Sequence, residues 1–249
     1  MMDLAAVQMI WLRDIIRFTR DRAQILGAVA RPILWLLIMG VGLGASVPRV
    51  GNTPYLEFIF PGVIALNLIF ASFLSAISII WDREFGFLKE ILVAPISRAS
   101  IAVGKALSGT TVAVLHGAVV LAFALILRLP FTAAQIALAL PVMALMAFVS
   151  TALGILIASR MTSFEGFGTI ANFVIMPLFL LSGAVFPLDR VPPWLHRLAR
   201  ANPFTYGVDL LRGIFSGVMH YPIWMDLAVL AGCGALFVTL AVAAFKHME

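Results

Sequence analysis

Six stretches of this chain run for about 20 residues with scarcely a charge in them, and that pattern leaves few folds open. They lie at Ile25–Ala45, Phe58–Ile80, Ala106–Leu127, Ile136–Ala158, Phe167–Val185 and Trp224–Phe245. A helix rises 1.5 Å per residue, so about 20 apolar residues cross the ~30 Å hydrocarbon core of a bilayer. Lipid offers no hydrogen bonds, so the backbone of each stretch must satisfy itself as a helix. The same pattern excludes a soluble domain: 62% of the 249 residues are hydrophobic and 12% are charged, about half the usual charged share. The expected fold is all-α, a polytopic membrane protein with six transmembrane helices. In the first span Arg31 and Pro32 interrupt the apolar run; Arg31 can snorkel to the headgroups, and Pro32 suits an early helical position.

Orientation follows from the basic residues between spans, which gather on the cytoplasmic side. Arg13, Arg17, Arg20, Arg22, Arg31, Arg83, Lys89, Arg98, Lys105, Arg160 and Lys246 fall on one side. The short loops on the other side hold one each, so both termini are expected to be cytoplasmic. The formal net charge of +5 is explained by this bias, and no basic run points to nucleic acid. Arginines scattered over the first 25 or so residues match a cleavable signal peptide poorly. Residues 1–24 instead read as an amphipathic interfacial helix: Val7, Trp11, Ile15 and Phe18 share one face, expected to lie on the bilayer, with Arg13, Arg17 and Arg20 opposite. Residues 25–249 form the six-span domain.

Two connecting segments carry further information. The inner loop, residues 81–105, begins Trp81-Asp82-Arg83-Glu84-Phe85 and continues through Leu88, Lys89, Glu90 and Leu92 to Pro95, Ser97 and Arg98. Its charges alternate, Phe85, Leu88 and Leu92 fall at helical spacing, Pro95 stops the helix, and Ser97 can cap the next one. It is either a solvated turn or a short helix that docks on another surface, and its exposed apolar stripe favours docking. The outer segment, residues 186–217, is cut by prolines into short helices, Pro193–Arg200 and Phe204–Ile214, with Trp194 and Tyr206 suited to the headgroup level. It is expected to re-enter the membrane as a helical pair covered by protein.

The outer pattern Phe186-Pro187, Pro193-Trp194-Leu195, Asn202-Pro203, Tyr206, Asp209 and Leu211-Arg212 resembles the ABC type-2 exporter permease family. So does the inner run Asp82-Arg83-Glu84, Pro95-Ile96-Ser97-Arg98 and Gly104-Lys105, although Phe85-Gly86-Phe87 departs from the small or polar residues usual there. The resemblance covers nearly the whole chain. It implies a permease subunit that dimerises, pairs with two copies of a separate ABC ATPase, and exports an amphipathic or lipid-linked substrate across the bacterial inner membrane. ATP and Mg would be bound by that partner, with no cofactor in this chain. The implied ATPase-coupling residues are Asp82, Arg83, Glu84, Phe85, Leu88, Lys89, Glu90, Pro95, Ser97 and Arg98. The implied dimer contact uses the first and fifth spans, where Gly40 and Gly44 form a G-x-x-x-G pair.

The chain has no phosphate loop of its own, since its only Gly-Lys pair, Gly104-Lys105, lacks the earlier glycine and is followed by Ala106. Its four histidines are scattered and its one cysteine, Cys233, lies in an apolar run, so no catalytic or metal site is expected. Asn67, Ser75 and Ser78 form a small polar stripe on the second span that can line a path or seal a helix contact. His116 and Asn172 are the other intramembrane polar candidates; His116 is read as a neutral side chain bonded to a neighbouring helix. Two other classes remain open. An ion-driven transporter would need buried carboxylates, but Glu57, Asp82, Glu165 and Asp226 sit at span ends; a non-transporting membrane anchor would need fewer spans.

Overall fold

The computed structural model of the chain describes residues 3–51, 53–85 and 97–246. Helix α1 (Leu4–Arg20) is capped by Asp3, whose carboxylate accepts from the N–H groups of Ala5 and Ala6. Asp21 ends it and caps α2 (Arg22–Trp35) by accepting from Gln24 N–H. The helix runs on as a π-helical stretch, Leu36–Leu43, and a closing α turn, Gly44–Ser46. Two-residue strands β1 (Arg49–Val50) and β2 (Thr53–Pro54) pair antiparallel. Then follow α3 (Tyr55–Glu84), α4 (Arg98–Ile126), α5 (Ala133–Ala158) and α6 (Phe164–Leu180). A 3-10 turn at Leu188–Arg190 leads to α7 (Pro193–Ala201), α8 (Pro203–Ser216) and α9 (Ile223–Lys246).

Among the described residues, five helices are long and apolar enough to cross a membrane: Gln24–Ser46, Tyr55–Glu84, Arg98–Ile126, Ala133–Ala158 and Ile223–Phe245. The span expected at Phe167–Val185 is instead α6, 17 residues long and so only about 25 Å. It starts early because Ser163 accepts from Gly166 N–H as a cap. It stops because the chain turns after Leu180 and Gly183 takes φ +74, a left-handed conformation open to glycine. Hydropathy continues to Val185, but the helix does not. The all-helical architecture holds, with the small hairpin as its one β element among the described residues. Pro32 is also displaced from the early position expected of it. Because Asp21 starts the helix at Arg22, Pro32 is interior, and the π-helical stretch follows four residues later.

Helix α3 is the axis of the bundle: its apolar window is 72% buried, against 22% for the α2 and α9 spans. It packs on α4 and α5 through residues too small to hold the helices apart. A methyl group on Gly109 would come within 2.9 Å of Ser75 Oγ on α3 and 2.5 Å of Thr151 Cγ2 on α5, while Gly154 faces Ala76 and Phe73. Close approach of this kind drives helix association in membranes, where water supplies no hydrophobic force. Gly40 of the π-helical stretch likewise sits on Leu56, and Gly44 on Tyr55, both of α3.

Helix α1 lies along the first half of α4. Asp3 N–H donates to Ser100 Oγ at 2.8 Å, Trp11 Nε1 to Thr111 Oγ1 at 3.0 Å, and the Phe18 ring lies 5.3 Å from that of His116. This corrects the expected lie of the helix. Val7 and Ile10 are buried, against Gly104, so the stripe read as bilayer-facing is largely turned onto protein. The exposed apolar stripe is Met9, Leu12 and Ile16. The helix carries two apolar stripes, and only tertiary packing decides which is covered.

At the opposite end, near the hairpin, α8 is embedded against α3, α5 and α9. A Cβ on Gly62 would lie 2.7 Å from the Ala184 carbonyl oxygen, and Gly207 faces Met146. Met146 is about 20 Å along α5 from Ala133. Gly217 closes α8 at φ +68, its N–H bonding Gly213 O.

Candidate functional site

A buried ion cluster joins the two helices that flank the inner loop. Asp82, in the last turn of α3, accepts from Lys105 Nζ of α4 at 2.7 Å and from Arg13 Nη2 of α1 at 2.9 Å. Lys105 also reaches Asp14 at 3.2 Å and donates to Ser78 Oγ at 2.9 Å. Ser108 Oγ donates to Asp14, and Arg13 pairs with Asp14 at 3.1 Å. Two cations and two carboxylates balance, which is the condition for burying charge at tolerable cost. Burial works against the Arg13 charge, but Asp82 and Asp14 outweigh it and hold the guanidinium above its ordinary range. The cluster joins three helices through Asp82 before the loop, Lys105 after it, and α1.

Arg83 is committed to the bundle as well. Its guanidinium donates to Met161 O at 2.6 Å and Ser159 O at 3.0 Å, just past the last turn of α5, where carbonyls lack helical partners and a cation is favoured. Glu84 and Phe85 are exposed, and Phe85 stacks on Trp81 at 5.1 Å, with Arg17 over the same indole. Ser97 caps α4, accepting from Ser100 N–H as expected. Arg98 opens that helix with Nη1 buried and no partner among the described residues. Leu88, Lys89, Glu90 and Pro95 lie outside the described residues. A cavity of about 120 Å³ opens beside the cluster, lined by Asp14, Arg17, Asp21, Ser75 and Trp81.

The proline-rich segment forms a cap whose polar motif residues are bonded to neighbouring backbone, some of it at the end of α6 and in the turn after it. Asn202 accepts from Phe204 N–H to start α8, while its Nδ2 donates to Leu178 O at 2.6 Å. Tyr206 Oη donates to Arg200 O, and the buried Arg212 donates to Gly183 O at 2.7 Å with its guanidinium 4.2 Å from the Phe58 ring. Asp209 accepts from the N–H groups of His220 and Tyr221. Pro193 opens α7, whose Trp194 is exposed, and Pro187 lies before the 3-10 turn.

His220 links this cap through both ring nitrogens, Nδ1 to Asp209 and Nε2 to Asp189, each at 3.1 Å. The Asp209 hydrogen bond, helped by Asp189, holds the imidazole above its ordinary 6.5 despite burial. A raised value in the folded state stabilises the protonated form. The contribution is complete below pH about 6.5 and is lost as pH rises through the folded-state value. The melting temperature of the purified protein should therefore fall over that window, and the fall should vanish in His220→Gln. Parallel curves for the two proteins would show that the histidine link contributes nothing.

The expected path residues are not gathered in one place. Asn67 is buried with neither amide atom bonded among the described residues, Ser75 packs on Gly109, and Ser78 serves Lys105. His116 is buried against Phe18 and neither ring nitrogen has a partner among the described residues, which corrects the expected bond to a neighbouring helix. Asn172 is exposed on α6. Asp226, in the first turn of α9, is fully buried, and neither oxygen has a partner among the described residues. Asp14 and Arg13 went unnoticed as site residues; the legible signal was a lone carboxylate at helical spacing between the apolar Ile10 and Phe18.

A bundle of membrane-length helices, with a charged platform at one end and a stapled cap at the other, is the architecture of a membrane-embedded transport subunit. The chain belongs to the ABC-2 type transporter family, whose profile matches residues 5–216. It is similar to Nodulation protein J of Rhizobium leguminosarum bv. trifolii, 31% identical over 212 residues, covering 84% of this chain and 80% of that protein. It also matches the putative transport permease ycf38 of Cyanophora paradoxa, at 28% identity over 82% of this chain and 72% of that one. The inner membrane transport permease YadH of Escherichia coli (strain K12) is 27% identical over 90% of this chain and 88% of its own length. The chain is a transport permease of this family.

Proposed function

We propose that this permease is the membrane half of an ATP-driven exporter, in which two copies pair with two ATPase subunits docked on the inner loop. The observation that carries this is the platform itself: Asp82 and Lys105 are locked 2.7 Å apart beneath the loop, while Glu84 and Phe85 are exposed beside it. A rigid base with an exposed aromatic and charge is suited to receive force from a partner. The α1 end is then cytoplasmic, both termini with it, in the inner membrane of a bacterium, where YadH is named as residing. The short α6 and the deep seat of Gly207 on Met146 support a sixth crossing that α6 begins and the re-entrant α7–α8 pair completes. Exposed apolar residues of α6, such as Phe173 and Met176, supply a face for dimerisation. The cargo is an amphipathic or lipid-linked molecule, consistent with a bundle that holds no charged cage among its described residues.

Arg83 is occupied internally, so the test falls on its neighbours. Phe85→Ala and Glu84→Arg should leave membrane insertion intact but weaken recovery of the ATPase subunit. Loss of a buried aromatic anchor costs about 2 kcal/mol, on the order of thirtyfold in affinity, and transport-stimulated ATP hydrolysis should fall with it. Unchanged co-purification and transport in both variants would overturn docking at this point. Asp226 favours one competing reading, since an unbonded buried carboxyl is what proton coupling needs. Transport that persists without ATP and collapses with a proton ionophore would establish that reading instead.

A further inference from the structure

Arg31 sits inside the first span, seven residues beyond its start at Gln24, or about 10 Å along the helix. Its guanidinium lies 4.3 Å from the centroid of the Phe70 ring. No carboxylate or carbonyl among the described residues bonds to it. A charge at that depth is costly unless an opposite charge meets it or its tip reaches the headgroups. Around it α2 forms a groove of about 530 Å³ lined by Gly27, Ala30, Leu34, Ile38 and Met39, with Trp35 at its side. All the other lining groups are apolar, and the small Gly27 and Ala30 leave the guanidinium open to it. From Gly27 to Met39 the groove follows about 18 Å of helix, close to the ~15 Å half-thickness of a bilayer core.

We propose that this groove holds one anionic glycerophospholipid of the leaflet at the α1 end, its phosphate on Arg31 and one acyl chain along Leu34, Ile38 and Met39. Charge complementarity selects this occupant: the site presents one unmatched cation and otherwise hydrocarbon. Phenylalanine at position 70 steadies the guanidinium from behind through its ring face, which leaves the donor edges free for phosphate oxygens. The groove is built whether or not an ATPase binds, so the inference stands independently of the coupling reading.

The test uses the full-length protein in nanodiscs containing equal amounts of phosphatidylglycerol and phosphatidylcholine, followed by native mass spectrometry of retained lipid. The natural protein should retain phosphatidylglycerol about fivefold over phosphatidylcholine, the share one interfacial arginine supplies. Arg31→Gln should abolish the preference and Arg31→Lys should keep most of it. Ile38→Trp, which fills the groove and leaves the cation, should lower retention of both lipids. Melting temperatures measured alongside identify any variant that fails to fold, and the remaining variants then decide. An unchanged preference in Arg31→Gln overturns the proposal. So does a shift in the monomer–dimer equilibrium with lipid preference intact, which would assign the cation to a second copy of the chain.

Discussion

Lys105→Met should be among the most damaging single substitutions in this protein. It leaves Asp14 and Asp82 buried with Arg13 as their one remaining cation, because Lys105 Nζ bonds both carboxylates and Ser78. Removing one partner of a buried ion cluster strands the other charges, at a cost of about 3–5 kcal/mol. In a chain of this size that corresponds to a fall on the order of 10 °C in melting temperature. Trp11 and Trp81 report the change directly, since one is hydrogen-bonded to α4 at Thr111 and the other lies beneath Arg17 of α1. Their fluorescence should shift before global unfolding as α1 detaches. Adding Asp14→Asn should restore part of the loss by removing one stranded charge. A Lys105→Met protein as stable as the natural one would mean that the cluster adds nothing to the docking of α1.

Gly62→Val tests the other end of the bundle. Its Cβ would meet the Ala184 carbonyl oxygen at 2.7 Å and Ala184 Cα at 2.9 Å, and backbone cannot rotate aside as the Met146 side chain facing Gly207 can. The turn after α6 would have to withdraw from α3, taking with it the Gly183 carbonyl that Arg212 holds. Forced overpacking costs about 1–3 kcal/mol, and losing the Arg212 bond adds to it by leaving a buried cation without its acceptor. The variant should insert normally, melt about 5–10 °C lower, and expose the α7–α8 segment to protease. Gly207→Ala is the matched control, since its neighbour is a flexible methionine, and it should cost much less. Equal behaviour of the two variants would disprove a backbone clash at Gly62.

What the sequence disclosed was governed by how local the cause was. Membrane spans are legible because lipid imposes a length and an apolar composition on one continuous segment. Ser97 is legible as a cap because its partner, Ser100, is three residues away. The prolines of the α7–α8 segment mark their breaks for the same reason. The end of α6 was not legible, because Leu181 to Val185 stays largely apolar through a turn set by Gly183 and by contacts with α3 and α8. Nor was the role of Asp14, whose partners Lys105 and Ser108 lie far along the chain and are brought to it by helix packing. In the coupling loop, where the resemblance implies Asp82 and Arg83 as contacts for a partner, both side chains are bonded within the bundle. Charge alternation cannot tell a residue that anchors a loop from one that the loop presents.

The Lys105–Asp82 contact closes a ring in the covalent chain. Asp82 and Lys105 flank the segment between them, so the entropy of bringing its two ends together is spent on folding the bundle. A partner that engages the segment need not organise its ends, which raises the affinity available from few contacts. The closure also removes a degree of freedom. A push on the segment cannot be absorbed by its ends spreading apart, so α3 and α4 must move as one body, and α1, tied to the same charges, must go with them. Severing the Lys105 link would therefore separate two quantities that ordinarily travel together: how tightly a partner holds the loop, and how far the helices move when it does.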